Sequence, residues 1–117
     1  MKRSVVFLAL VFLLASCTDS VPTLSVGEEG TIESSGEITS VAISESALDA
    51  WSKARVAKDQ HGMFLLMNSG EIFTVKKGTK VLVIDTGMAK RKIRILTGEK
   101  TGASGWVSED YVKKITP

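Results

Sequence analysis

The residues able to do chemistry in this chain are few and scattered. His61 is the only histidine and Cys17 the only cysteine among 117 residues, so no His/Cys metal cluster can form within one chain. A single cysteine also leaves no internal disulfide. A Ser-His-Asp triad would have to use Asp59 and His61, which share one polar turn, Asp59-Gln60-His61-Gly62. No GxSxG elbow presents a serine to them. Carboxylates are paired at Glu28-Glu29 and Glu109-Asp110, the first in a polar lead segment and the second in a surface turn. Neither place offers the burial that raises a carboxyl pKa for acid catalysis. No phosphate-cradling GxxxxGK[ST] loop occurs. The sequence therefore points away from an enzyme and from a resident cofactor, and towards a binding module.

The candidate binding residues lie in the last third. Gly105-Trp106-Val107 reads as a short strand, Ser108-Glu109-Asp110 as one tight turn and Tyr111 to Ile115 as a last strand. With Val107 facing inward, period-two alternation turns Trp106 outward, close to Tyr111 across the turn, as a platform for a peptide or a sugar ring. The alternative is that Trp106 covers the barrel beneath an inserted element. Ser108, Trp106 and Tyr111 are thus the candidate ligand contacts. A second candidate is the basic group Lys90, Arg91, Lys92 and Arg94, with Lys76, Lys77 and Lys80 as possible neighbours; it is read either as a patch for an anionic partner or as a solvated hairpin tip.

The elements that position these residues are mostly strands. Thr79 to Asp85 is a β-branched apolar run of strand length, Thr86 to Lys92 crosses a turn, and Ile93-Arg94-Ile95 alternates apolar and basic. Upstream, Glu37 to Ile43 alternates weakly as a first strand. Met63 to Met67 and Glu71 to Val75 read as two strands joined by the hairpin signal Asn68-Ser69-Gly70. Before this hairpin, about Ser44 to Lys58, Ala47, Leu48, Trp51 and Ala54 recur at helical spacing, with Val56 at the margin of the same face. Ser44 or Ser46 caps this helix, Glu45 and Asp49 suit its first turn, and Lys53 and Arg55 its last. Trp51 is read as the anchor of that helix on the barrel.

The segment Gly105-Trp106-Val107-Ser108-Glu109-Asp110-Tyr111-Val112 resembles the closing segment of SH3 domains, in which a glycine, an aromatic and an aliphatic lead into a one-turn helix and a Tyr-Val. Lys92 to Gly98 with Thr101-Gly102 is similar to the bacterial SH3-like domains of extracytoplasmic proteins. The resemblance implies a small, mainly β, SH3-like barrel, here with one inserted helix, that binds a protein or cell-wall material. Tyr111 matches the family's peptide groove, whereas Ser108 replaces its usual proline and the groove's other aromatics have no counterpart, so recognition of PxxP peptides is not implied.

The N-terminus carries a second resemblance. Lys2 and Arg3 precede an apolar run, Val5 to Ala15, too short to span a bilayer and suited to an export signal. The run ends in Leu14-Ala15-Ser16-Cys17, which is similar to the lipobox of bacterial lipoproteins. That resemblance implies cleavage before Cys17, acylation of Cys17 with fatty chains such as palmitate, and a durable membrane anchor without a spanning helix. Thr18 in place of Asp implies the periplasmic face of the outer membrane in a diderm host. The organisation expected is a signal peptide over residues 1–16, a flexible tether over 17–35 and an SH3-like domain over 36–117.

Without Lys2 and Arg3, 13 basic residues face 13 acidic ones. Their distribution is uneven: the part from Cys17 to Ser52 has no Lys or Arg, and all 13 basic residues follow it. A basic domain behind an acidic lead steers acidic partners towards the domain. An envelope address leaves membrane lipid, wall polymer and protein as partners and excludes nucleic acid. Two functions follow: a membrane-anchored binding module, or a small accessory or inhibitory lipoprotein acting on an envelope complex.

Overall fold

The computed structural model describes residues 24–115, so the expected signal peptide, Cys17 and the first part of the tether lie outside the described residues. Seven strands, all antiparallel to their neighbours, form one sheet: β1 (Glu29–Ile32), β2 (Ile38–Ala42), β3 (Ile72–Lys76), β4 (Lys80–Gly87), β5 (Lys90–Ile95), β6 (Ser104–Ser108) and β7 (Val112–Lys114). Their spatial order is β3-β2-β6-β5-β4-β1-β7. A 3-10 turn, Glu109–Tyr111, joins β6 to β7. Two helices, α1 (Glu45–Val56) and α2 (Gln60–Asn68), lie between β2 and β3. Among the described residues no helix is long and apolar enough to cross a membrane.

The sheet has to curl. In that order β3 and β4 are four places apart, about 19 Å in a flat sheet. They are nevertheless joined by Lys77, Gly78 and Thr79 alone, a link that reaches at most about 14 Å. Curling brings one residue row from every strand together: Ile32, Val41, Val75, Val81, Val83, Ile93, Ile95, Val107 and Val112 share a single core with Leu24. β-Branched side chains dominate that row because they pack well on a pleated surface. The result is the mainly β, SH3-like fold that the resemblance implied, with both helices in one long excursion between β2 and β3.

Two expectations change here. The tether was expected to run to residue 35, but the ordered domain begins by Leu24, whose side chain is buried in the core. β1 then pairs with both β4 and β7. Only two residues of the polar stretch Glu28 to Ser35, Gly30 and Ile32, are buried, and composition averages such short alternation away. Secondly, Met63 to Met67 is not a strand, so the barrel carries two inserted helices. The Asp59 carboxylate accepts from the Gly62 N–H at 2.9 Å and caps α2, and Met63 and Leu66, one turn apart, pack against Ala42, Ala47, Trp51 and Ile72. Gln, Met and Leu favour helix, and the run holds no β-branched residue. The expected helix at 44–58 is α1, with Ser44 accepting from the Ala47 N–H at its N-terminus and Ala47, Trp51 and Ala54 buried.

Candidate ligand-binding groove

A wide hollow follows from how β2 meets β6. These strands pair only at Ala42↔Trp106. There they approach closely because residue 105 is glycine: a Cβ at Gly105 would stand 2.5 Å from the Ala42 carbonyl oxygen and 2.6 Å from Val41 Cγ1. Beyond that crossing, towards Ile38 on one strand and Ser108 on the other, the strands diverge. A groove of about 670 Å³ opens in the wedge. Its floor is Ile38, Thr39 and Ser40 with Ser108, one wall is Leu48, Trp51, Ser52 and Arg55 of α1, and its end is closed by Ser34, Ser35, Gly36 and Tyr111. The volume suits a small ligand or a short peptide.

Hydroxyls predominate on the rim and some are already held. Thr39 Oγ1 donates to Ser34 Oγ at 2.8 Å, and Ser34 Oγ donates to the Gly36 carbonyl at 3.1 Å, so the β1–β2 connection is tied to β2. Across the mouth an Arg55 Nη1 hydrogen bond reaches the Tyr111 hydroxyl at 3.5 Å. Ser108 caps the 3-10 turn that presents Tyr111, accepting from the Asp110 N–H at 3.4 Å. Among the described residues Arg55 is the single charged side chain lining the groove, and no carboxylate lines it. The groove therefore presents donors, hydroxyls, the half-buried ring of Tyr111 and one cation, a set able to hold a polar ligand.

Of the candidate contacts, Ser108 and Tyr111 line this groove and Trp106 does not. Trp106 points away from the core, opposite to the wholly buried Val107, as alternation requires. It is nonetheless only 8 % exposed, so the outward platform expected beside Tyr111 does not form. The outer face of β6 is covered by α1, and Lys90 Nζ lies 5.9 Å from the Trp106 ring centre. Lys90 is pinned there by Glu45 of α1 at 2.9 Å. That hydrogen bond from Glu45 raises the lysine's pKa above its ordinary value, against some loss of solvation. Trp51, read as the anchor of α1, is buried in the cluster of Ala42, Ala47 and Ile72, and it also contributes to the groove wall.

The basic group is dispersed as well. Arg91 shares the inward row of β5 with Ile93 and Ile95 and is 9 % exposed. At the end of the barrel its Nε donates to the Leu24 carbonyl at 2.9 Å and its Nη1 to the Lys90 carbonyl at 2.8 Å. Longer contacts reach the Gly87 carbonyl at 3.4 Å and Glu109 at 3.3 Å. Lys92 is half-buried, which leaves Arg94 alone of the four exposed. A patch built on all four does not exist, because one fills the barrel end and another is spent on α1. The parity of Arg91 with Ile93 and Ile95 is a signal of this in the sequence.

The remaining reactive groups lie apart from the groove. His61 is exposed in the first turn of α2 while Asp59 caps that helix. The Glu28 carboxylate accepts from the Ser25 N–H at 2.7 Å and pairs with Lys114 at 3.3 Å. The Ser25 hydrogen bond first, and Lys114 second, hold its pKa below the ordinary value. Among the described residues no three His, Cys, Asp or Glu side chains converge as a metal site. Compared with models of protein families, with curated proteins and with solved structures, the chain matches none.

Proposed function

We propose that the protein is a non-catalytic binding module of a bacterial cell envelope, tethered to the membrane by lipid on Cys17, that holds a protein or cell-wall component in the groove between α1 and the diverging strands β2 and β6. The single observation carrying the binding reading is that groove, which joins Ser108 and Tyr111 from the end of the chain to Trp51 and Arg55 from the inserted helix. The tether reading rests on Leu14-Ala15-Ser16-Cys17 after an apolar run. From Cys17 to Leu24 the chain reaches about 25 Å when extended, so an anchored domain would work close to the bilayer. A periplasmic position at the outer membrane belongs to the same proposal for a diderm host.

The test is retention of envelope components by the full chain. Tyr111→Ala and Arg55→Ala should each weaken retention at least ~10-fold while leaving the urea midpoint close to wild type. Retention indifferent to both variants would remove the groove from the function. Cys17→Ser should abolish metabolic labelling with palmitate, and persisting label would end the anchor assignment.

One observation favours the second reading, an accessory or inhibitory lipoprotein. α2 leaves Phe64, Leu65 and Met67 exposed, with Phe64 at 60 %. An apolar patch of this kind marks protein contacts. Replacing Phe64 and Leu65 by Ser separates the readings, since a complex built on α2 would fall apart while groove retention would persist.

A further inference from the structure

The way β2 presents its main chain names the ligand class for the groove. In an antiparallel strand, alternate residues turn their N–H and C=O to opposite sides. The Lys77 N–H donates to the Glu37 carbonyl and the Ile43 N–H to the Glu71 carbonyl, so odd-numbered positions of β2 face β3. Even-numbered positions, Ile38, Ser40 and Ala42, then face the other way. Ala42 is met by Trp106, but the pairing stops there, which leaves the main chain of Ile38 and Ser40 turned into the groove. The same parity holds across the wedge. The Ile95 N–H donates to the Ala103 carbonyl and the Glu109 N–H to the Ala89 carbonyl, so odd positions of β6 face β5 and Ser108 faces the groove. Continued zipping would have paired Ser40 with Ser108; the groove occupies that place instead.

We propose that the groove binds an extended acidic peptide segment, added as a strand along the free side of β2 at Ile38 and Ser40, with a carboxylate of the peptide meeting Arg55. The proposal rests on the reading of the groove as the ligand site and deepens it. An unpaired stretch of main chain offers N–H and C=O at strand spacing, which a peptide satisfies through its own backbone. Two residues of β2 provide four such groups, enough to fix direction and register. Alternate peptide side chains would turn towards Leu48 and Trp51 on the α1 wall, the others towards the inner side of the sheet, where Thr39 lies. Sign is set by Arg55, the sole charge on the lining among the described residues, opposed there by no carboxylate of theirs. A guanidinium takes a carboxylate through two parallel hydrogen bonds, so an acidic residue near the Arg55 end gains both energy and orientation. A glycan fits less well: it stacks on an exposed aromatic face, whereas Trp51 is 8 % exposed and Tyr111 is half-buried.

The test uses displayed random heptapeptides selected on the immobilised full chain. Enriched sequences should carry Glu or Asp at one fixed position, and a synthetic copy should slow amide hydrogen exchange at Ile38 and Ser40 at least ~10-fold. N-methylation of alternate amides along one edge of that peptide should weaken binding at least ~10-fold, while methylation along the other edge should not. Arg55→Gln should remove the preference for Glu over Gln. Peptides whose binding is lost in Tyr111→Ala, but which tolerate methylation on either edge, would overturn strand addition and leave the groove standing as the site. Failure to enrich any peptide, with protection of the groove by a wall disaccharide instead, would overturn the peptide class in favour of a glycan. Enriched peptides indifferent to both Tyr111→Ala and Arg55→Gln would overturn the groove itself.

Discussion

Removing the Arg91 side chain separates two incompatible accounts of the basic segment Lys90 to Arg94. If Arg91 belonged to a surface patch, Arg91→Ala would change salt-dependent binding and leave stability within about 0.5 kcal/mol, as for most surface substitutions. The structure places it in the inward row of β5, beside Val107 in the register, with two short hydrogen bonds to main-chain carbonyls. A hydrogen bond from a charged donor contributes roughly 1.5–3 kcal/mol, and the buried oxygen of Leu24 would be left without this donor. The Glu109 pair adds little, because its carboxylate side chain is 34 % exposed and partly screened. Together these give a cost of about 3–5 kcal/mol for Arg91→Ala, the range found when a buried charged group loses its partners. With a urea slope near 1–1.5 kcal/mol per molar for a domain of this size, the midpoint should fall by about 2–5 M. Arg91→Lys keeps the charge but loses the planar fork that reaches Leu24 and Lys90 together, so it should fall between Ala and wild type. Arg94→Ala, on the exposed row of the same strand, is the control and should leave the midpoint unchanged. Equilibrium urea unfolding followed by tryptophan fluorescence reads all three. An Arg91→Ala midpoint indistinguishable from that of Arg94→Ala would refute the assignment of Arg91 to the barrel end.

Further outcomes follow from the same packing. Trp106→Ala should lower stability by about 3–5 kcal/mol, the cost of emptying a packed Trp site, and a change under about 0.5 kcal/mol would return Trp106 to an exposed platform. Gly105→Ala should destabilise by at least ~2 kcal/mol, since its Cβ would meet the main chain of β2, whereas Gly36→Ala, whose Cβ would come no nearer than 3.9 Å to the Ile38 carbonyl oxygen, should be tolerated; equal midpoints for the two would contradict a close crossing of β2 and β6. Glu28 has a folded pKa below its ordinary value, so its contribution is complete above that ordinary value and disappears as pH falls through the folded value. Unfolding midpoints measured from neutral pH down to pH 3 should therefore converge for wild type and Glu28→Gln at the acid end; a constant gap across the range would show that the carboxylate's charge is not what acts.

The sequence by itself determined the periodic parts of this protein. The alternation of Ile93-Arg94-Ile95 and the run from Thr79 to Asp85 fixed strands and hence a mainly β class, and the resemblance of the Gly105 to Val112 segment to SH3 domains implied the SH3-like form. The spacing of Ala47, Trp51 and Ala54 after Ser44 fixed α1 and its buried face. These signals are local, carried by residues within one or two turns of each other. Some of what was missed was also present locally: the helix formers of Gln60 to Asn68 after a capping Asp59, and the shared parity of Arg91 with Ile93. Tertiary structure alone decided the rest. Whether Trp106, turned outward from the barrel, meets water or a helix depends on where α1 lands and on the Lys90–Glu45 pair that holds it there, a contact between residues 45 positions apart. The groove is more distant still, with Arg55 and Tyr111 separated by 56 positions. It exists because two strands that approach closely at Gly105 part again beyond it, and the angle at which strands cross is set by the curl of the whole sheet around its core, which no short stretch of sequence encodes.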